Sequence, residues 1–439
     1  MASNVTKTPI LRAISKRNYA SAATLAQACA DVHVKVLPNK IVIASADSAI
    51  PISRVSVLFK AGSRYESADH LGVSNVLRSS AGLSTSGASA FGIVRNLQQI
   101  GASLSVTSDR EGIAYTLEAT PDKIEEGLQY LVDIASKQVF KPWELSDQIP
   151  RIKYELATTP PQARILDLVN KAAYRTGLGN SIFVKEHAIG KINSETLQYF
   201  VRQTFTAPRA AVVGVGVSSD HLAQLASSLE LSSGAGPEAP AKYYGGEERL
   251  EVPSPHVHIA LAAESAGLQS KEALAFAVLR HALGAGSAIK YGIGAGPLGK
   301  VTADSKELLG ASAFSSAYSD SGLFGVVLTT TPSNAKAAAE KVAKVLHGPV
   351  SDADVARGKA VVKGLLLQGY ENGEAVVQDI GSQALLLGSV LAAPQIAAAV
   401  DALSTADVQN AAKKIASGKK SLAVYGNISS APYFDEIAK

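Results

Sequence analysis

The feature that most constrains this chain is an internal repeat. Residues 105–109 read Ser-Val-Thr-Ser-Asp and residues 316–320 read Ser-Ala-Tyr-Ser-Asp. Each run is followed by a glycine, a Thr-Pro pair and a helical pattern, and the offsets between the copies are 211, 210 and 211 residues. Four landmarks in the same order indicate a duplicated strand-turn-strand-helix unit. The 439-residue chain is long enough to bury two similar cores.

The order of strands and helices indicates an α+β fold. Alternating apolar residues predict a hairpin over residues 32–46 and a strand pair over 103–108 and 113–119. A helix is predicted over 121–135, with Thr120 as its N-cap. Strands and helices cluster instead of alternating, which favours mostly antiparallel sheets packed with helices over a doubly wound parallel sheet.

We expect two homologous domains joined by a linker. A run rich in Gly, Pro and Ser over residues 232–240 is typical of a linker. The predicted boundaries are an N-terminal domain over 32–228, a linker over 229–247 and a C-terminal domain over 248–439.

The basic charge lies at the N-terminus. The formal net charge is +4, and residues 1–30 contain four basic residues and no acidic ones. This composition is typical of a mitochondrial transit peptide. The pattern of Arg17, Tyr19 and Ala20 predicts cleavage after Tyr19, so that residues 1–19 are removed. The alternative is a basic tail that stays attached.

The rest of the chain carries no net charge, which disfavours nucleic acid as a partner. The single cysteine, Cys29, excludes an intrachain disulfide and a cysteine-based metal centre. The most apolar stretch, residues 384–400, is too short and too polar to span a bilayer. It is predicted to form two packed helices divided at Pro394, because proline breaks the backbone hydrogen-bond ladder.

Two patterns that suggest ligands are better explained by structure. Residues 294–300 have the spacing of a Walker A loop, but Val301 follows where a Mg²⁺-binding Ser or Thr belongs. His256 and His258 face the same way on a predicted strand, with no third ligand evident in the sequence. We therefore predict no cofactor and no bound metal.

Residues 60–80 carry a resemblance to a known family. Ala-Gly-Ser-Arg-Tyr-Glu at 61–66 and the Leu-Gly-Val-Ser-Asn run that begins at Leu71 resemble the pitrilysin-type metallopeptidases. This family includes the mitochondrial processing peptidase and the core proteins of respiratory complex III. The resemblance extends through Leu-Pro-Asn-Lys at 37–40 and both halves of the repeat. It implies that each domain has the pitrilysin-like peptidase fold.

Active members of this family carry an inverted zinc motif, H-x-x-E-H, in which two histidines bind Zn²⁺ and the glutamate activates water. The resemblance aligns these three positions with Asn75, Arg78 and Ser79. Arg78 puts a fixed positive charge where a metal dication and a general base belong. Glu155 falls near the family's later acidic ligand, and we expect it to be a surface or helix-pairing carboxylate. The resemblance implies a degenerate chain without catalytic residues.

Finer matches, at residues 241–247 and 313–325, point to the core subunits of complex III. They imply a noncatalytic structural subunit, peripheral to the matrix side of the mitochondrial inner membrane. The implied partners are core protein 1, cytochrome b, the membrane-anchored cytochrome c-type subunit and the iron–sulfur subunit. The alternative is a noncatalytic, presequence-binding subunit of a processing peptidase, whose glycine-rich loop would correspond to residues 284–299.

Overall fold

The computed structural model describes residues 32–47, 51–285, 296–304 and 308–437. The strands are β1 (Val32–Val36), β2 (Val42–Ala46), β3 (Ser53–Phe59), β4 (Ser103–Ser108), β5 (Ile113–Ala119), β6 (Ala210–Val215), β7 (Gly246–Glu251), β8 (Val257–Glu264), β9 (Leu308–Ala317), β10 (Gly322–Thr330) and β11 (Lys420–Gly426). The main helices are α1 (Val73–Ser79), α2 (Ala90–Gln99), α3 (Ile124–Ser136), α4 (Pro142–Thr158), α5 (Pro161–Tyr174), α6 (Ser194–Thr204), α7 (Ser219–Ser228), α8 (Glu272–Leu283), α9 (Pro297–Asp304), α10 (Ala335–His347), α11 (Asp352–Gly369), α12 (Gly373–Leu387), α13 (Ala393–Ala402), α14 (Thr405–Ser417) and α15 (Phe434–Ile437).

Each half of the chain contributes one sheet. The first sheet has the order β1-β2-β6-β3-β5-β4 and the second has the order β7-β11-β8-β10-β9. One neighbouring pair in each sheet is parallel, β2 with β6 and β7 with β11, and the other pairs are antiparallel. The two orders coincide when β2 is matched with β7, so the predicted α+β fold with two homologous domains is confirmed. Among the described residues, β1 has no counterpart in the second sheet.

The predicted N-terminal hairpin is formed by β1 and β2. Its turn is closed by the N–H of Lys40, which donates to the carbonyl of Leu37 at 2.8 Å, and by the N–H of Leu37, which donates to Ile41 at 3.0 Å. Lys40 has a φ of 70°, in the left-handed region that such a turn requires. The strand pair predicted over residues 103–108 and 113–119 is also present, as β4 and β5.

The helix predicted over residues 121–135 begins later, at Ile124, and Thr120 is not its N-cap. The Thr120 hydroxyl bonds the Asp122 carboxylate instead and lowers the pKa of Asp122. The Thr120 carbonyl accepts hydrogen bonds from the N–H groups of Lys123 and Ile124, so a turn precedes the helix. The second repeat behaves alike, since a short 3₁₀ turn at Pro332–Asn334 precedes α10.

The division predicted at Pro394 is also misplaced. Helix α12 ends at Leu387, where Gly388 adopts a φ of 69° as the C-cap. Helix α13 starts at Ala393 with Pro394 in its first turn, a position at which the missing N–H costs nothing. Within the ranges that the structure describes, no helix is both long and apolar enough to cross a membrane.

Two helices are exchanged between the halves, which the sequence did not predict. Helix α5 lies in the first half of the chain but packs on β7, β8 and β11 of the second sheet. Helix α12 lies in the second half but packs on β2, β3 and β6 of the first sheet. Ile165 and Val169 of α5 and Ile380 and Ala384 of α12 are fully buried in these contacts. Each sheet therefore depends on the other half for one of its covering helices.

Candidate functional site

Helix α1 carries the three predicted zinc-motif positions. It begins after Gly72, whose φ of 93° suits glycine and where a Cβ would lie 2.8 Å from the Cα of Val184. The Glu66 carboxylate accepts hydrogen bonds from the N–H groups of Gly72 and Ser74, at 2.7 and 2.8 Å, and from the Ser74 hydroxyl at 2.6 Å. Glu66 thus satisfies the free amides at the start of α1, as an N-cap side chain would.

Glu66 is buried beneath this helix start. Burial raises the pKa of Glu66 to about 7, although its three hydrogen bonds favour the ionised carboxylate. Ionisation of Glu66, which these hydrogen bonds favour, therefore bears a desolvation cost.

We expect Glu66 to make the free energy of unfolding fall as the pH rises from 4.5 to about 7. Between these pH values the folded state binds the Glu66 proton more tightly than the unfolded state does. The stabilisation that results is complete below pH 4.5 and is lost as the pH rises to about 7. The loss is about 3 kcal/mol for this change in pKa. Urea denaturation of the wild type and of Glu66→Gln should give a difference that declines through the window and then levels. A difference that does not change with pH would contradict the assignment.

The predicted zinc positions hold an ion pair. Asn75, Arg78 and Ser79 lie on α1, and Arg78 Nη2 is 2.5 Å from Glu155 Oε2 on α4. Arg151, one turn earlier on α4, also contacts Glu155, at 3.3 Å. The Ser79 hydroxyl donates to the carbonyl of Asn75 at 3.0 Å. The expectation that Glu155 is a helix-pairing carboxylate agrees with this geometry.

These residues do not fit Zn²⁺. The Arg78 guanidinium cannot lose its proton, and it already forms an ion pair with the Glu155 carboxylate. The amide of Asn75 and the hydroxyl of Ser79 are poor substitutes for imidazole ligands. The described ranges contain no group of three His, Cys, Asp or Glu side chains placed to hold a metal ion. We derive no chemical step through a metal at this site.

The turns of the two sequence repeats meet between the domains, which sequence reasoning missed. Glu111, in the first turn, accepts hydrogen bonds from the N–H and hydroxyl of Ser319, in the second, at 2.9 and 2.6 Å. Arg64 donates to Glu111 at 2.6 Å and to both carboxylate oxygens of Asp320, at 2.8 and 2.5 Å. Its guanidinium also reaches the Ala239 carbonyl. Arg64 therefore joins the first domain to the second.

This junction of the repeats is strongly ionic. Burial alone would lower the pKa of Arg64, but the hydrogen bond to Asp320 and the charges of Asp320 and Glu111 raise it. Arg110 is also buried and donates to Asp167 of α5 at 2.5 Å. The exchanged helix α5 is thus tied to the first domain while its apolar face covers the second sheet.

The other sequence-predicted residues lie elsewhere or outside the described ranges. His258 Nδ1 is 2.9 Å from the Thr329 hydroxyl on the neighbouring strand β10. His256 precedes β8. Part of the glycine-rich segment, residues 286–295, lies outside the described residues. The predicted cleavage residues lie there too: Arg17, Tyr19 and Ala20.

The fold and the predicted site define a class: a two-domain, peptidase-like chain without zinc ligands at the positions of the zinc motif. The chain belongs to peptidase family M16. The family described as Insulinase (Peptidase family M16) matches residues 41–186, and the Peptidase M16 inactive domain matches residues 191–362.

The chain is similar to subunits of two mitochondrial assemblies. It is 41% identical to cytochrome b-c1 complex subunit 2 of Rattus norvegicus, over 91% of each chain. It is 29% identical to the probable mitochondrial-processing peptidase subunit alpha-1 of Arabidopsis thaliana, over 93% of this chain and 84% of that protein. A chain in the solved structure of Complex III2 from Candida albicans has the same fold, with a TM-score of 0.80 and 20% identity, over 93% of this chain and 99% of that one. The predicted resemblance to the core subunits of complex III is confirmed, and the matched relative is subunit 2 of that complex.

Proposed function

We propose that the chain is a noncatalytic structural core subunit of mitochondrial respiratory complex III, ubiquinol-cytochrome c reductase. The observation that carries membership is the 41% identity to a subunit of the cytochrome b-c1 complex along nearly the whole chain. The noncatalytic role is supported by the Arg78–Glu155 ion pair at the predicted zinc positions. The matched inactive-domain family supports it as well.

The finer assignment concerns neighbours and location. In the proposal, the chain pairs with core protein 1 and supports cytochrome b, the membrane-anchored cytochrome c-type subunit and the iron–sulfur subunit. It lies on the matrix side of the inner membrane, peripheral to it, and is held through those subunits. Residues 1–19 are its cleaved import sequence, and residues 32–228 and 248–439 are its two peptidase-like domains.

The test is co-migration with haem. Mitochondrial membranes are solubilised in mild detergent and resolved by blue native electrophoresis, and the gel is probed for this chain and for cytochrome b. We expect both in one band. Depletion of the chain should reduce the amount of that band. Recovery of the chain apart from cytochrome b would overturn the proposal.

The second candidate, a presequence-binding subunit of a processing peptidase, is favoured by the similarity to the Arabidopsis alpha subunit. It predicts a soluble heterodimer with a chain that carries H-x-x-E-H. The same fractionation separates the two candidates, because that heterodimer contains no haem.

Restoring the zinc motif should not restore peptidase activity. In the triple variant Asn75→His, Arg78→Glu, Ser79→His, a carboxylate replaces the guanidinium that now contacts Glu155 at 2.5 Å. The two carboxylates then face each other and repel, and Arg151 still holds Glu155. We expect no zinc-dependent cleavage of a presequence peptide, with Arg78→Glu alone as the control for loss of the ion pair. Zinc-dependent cleavage by the triple variant, abolished by a chelator, would refute this expectation.

A further inference from the structure

A cluster of cations lies where the exchanged helix α5 ends. Arg175 follows the last residue of α5, and Lys242 belongs to the segment that leads into β7. The guanidinium carbon of Arg175 lies 4.9 Å from the centre of the Tyr244 ring, and Lys242 Nζ lies 5.3 Å from it. Both residues are exposed, and neither forms an ion pair with any described residue. The ring attracts both cations, but no ion pair offsets their mutual repulsion.

A third cation borders the same segment. The N–H groups of Tyr244 and Gly245 both donate to the carbonyl of Ala173, at 2.8 and 3.1 Å, which fixes this segment against α5. Lys419, just before β11, runs alongside Gly245, since a Cβ on Gly245 would lie 3.1 Å from Cδ and Cε of Lys419. Lys419 is exposed too and forms no ion pair within the described ranges. The name Tyr244 patch is used below for Arg175, Lys242, Tyr244 and Lys419.

The backbone holds Arg175 in an unfavourable conformation. Arg175 has a φ of 66° and a ψ of −51°, and the N–H of Thr176 donates to the carbonyl of Tyr174 at 2.8 Å. This is a γ-turn with a positive φ at its centre, a rare and strained form for a residue with a side chain. Glycine would adopt it with less strain, so the turn does not require arginine. Strained residues cluster at sites that bind ligands, which points to a use for this guanidinium.

The chemistry of the Tyr244 patch favours an acidic protein segment as its occupant. Its cations come from three separate segments of the chain and lie around one ring, which suits several carboxylates along a segment better than one small anion. Arginine and tyrosine are enriched in protein interfaces and among the residues that contribute most to their affinity. A basic cluster that recognises anionic lipids has about four to eight Lys and Arg residues, more than this patch provides.

We propose that the Tyr244 patch is a docking surface for an acidic segment of a neighbouring protein chain, whose carboxylates pair with Arg175, Lys242 and Lys419. Arginine binds a carboxylate through two parallel hydrogen bonds, so Arg175 fixes the position of the segment. The two lysines contribute charge without a fixed direction. The inference rests on the proposed function only for the assembly in which the neighbour is found.

Cross-linking of the intact assembly with a water-soluble carbodiimide tests the contact. The reagent joins a lysine amine to a carboxylate that touches it, with loss of water and no spacer, and mass spectrometry identifies the joined peptides. We expect Lys242 or Lys419 to be joined to an Asp or Glu of another chain. The pair Lys171–Glu248, 2.9 Å apart within this chain, is the internal control. Lys242 should also be acetylated several-fold more slowly in the assembly than in the free recombinant chain.

The variant Arg175→Gly separates docking from folding. It removes the guanidinium and relieves the strained turn, so urea denaturation of the free chain should show no loss of stability. In the assembly, the variant should lose much of the protection of Lys242 and give less cross-linked product. Arg175→Lys should retain part of both, because it keeps the charge without the two parallel hydrogen bonds. Lys191→Gln, which removes an exposed charge outside the patch, should change neither.

Three results would overturn the docking surface. The first is equal acetylation of Lys242 and Lys419 in the assembly and in the free chain. The second is an Arg175→Gly chain that loses stability while Lys242 keeps its full protection, because Arg175 then serves the fold alone. The third is protection that gives no product with another chain and disappears when detergent strips the phospholipid, because a lipid headgroup is then the occupant.

The proposed function is scored separately, by co-migration with cytochrome b in blue native electrophoresis. Its absence would count against that function. A cross-link from Lys242 to whichever chain accompanies this one would still support the docking surface.

Discussion

Replacing Arg64 with methionine is expected to lower the free energy of unfolding of the chain by about 3–5 kcal/mol. Methionine fills much of the same volume but leaves Glu111 without its counter-charge, and the Glu111 side chain is only 5% exposed. The hydrogen bonds from Ser319 remain, but they offset only part of the desolvation cost of a buried carboxylate that has lost its counter-charge. Asp320, whose side chain is 38% exposed, regains water and contributes less.

Urea denaturation of the recombinant chain measures this loss. The matched control is Lys123→Met, which removes an ion pair whose side chains are 43% and 52% exposed and should change the free energy of unfolding little, because water screens such a pair. Arg64→Lys should fall between the two, because lysine keeps the charge but cannot hold both Asp320 oxygens at once. Equal losses for Arg64→Met and Lys123→Met would mean that the junction contributes no more than a surface pair.

The elements with strong local signals could be predicted from the sequence. The N-terminal hairpin and the pair β4–β5 alternate apolar and polar residues, and both formed where predicted. The predicted start of α3 was wrong. The Thr120 hydroxyl can bond either the helix amides or the Asp122 carboxylate, and in the structure it bonds Asp122. Pro394 was misread because a proline can start a helix as well as break one, and periodicity does not distinguish the two.

The candidate site was predictable only in part. Residue types at 75, 78 and 79 were enough to predict that zinc does not fit, because a fixed charge at Arg78 acts in any conformation. Arg78 and Glu155 lie 77 positions apart in the sequence, on two different helices, and only the tertiary structure brings them together. Arg64 stood in the motif that gave the resemblance, yet its partner Asp320 lies 256 residues away. The repeat showed that two turns are alike but not that they meet.

The exchanged helices and the junction of the repeats have one consequence in common. Helix α5 is anchored by Asp167 to Arg110 of the first domain, while Ile165 and Val169 fill the core beneath the second sheet. Two similar domains joined only by a linker would fold independently. These two share covering layers, so the chain should unfold as one cooperative unit.

Cutting the chain between its domains is therefore expected to abolish folding of each half by itself. A fragment of residues 1–240 exposes the apolar face of α5 and lacks α12 over Leu58 and Val213 of its own sheet. A fragment of residues 241–439 keeps the whole of β7 but lacks α5 over its sheet in turn. Each Å² of apolar surface left in water lowers the free energy of unfolding by about 25 cal/mol. The net stability of a domain is only about 5–15 kcal/mol, so the loss of a covering helix can exceed it.

Separate and joint expression of the fragments tests this dependence. Each fragment alone should aggregate or lack a cooperative thermal transition by circular dichroism, whereas fragments produced together should elute as a 1:1 complex with a single transition. Ile165→Asp in the first fragment should prevent the complex, because Ile165 is fully buried against the other half. Gln162→Asp, on the exposed side of the same helix, should not. A monomeric first fragment with a sharp transition of its own would show that its sheet needs no helix from the other half.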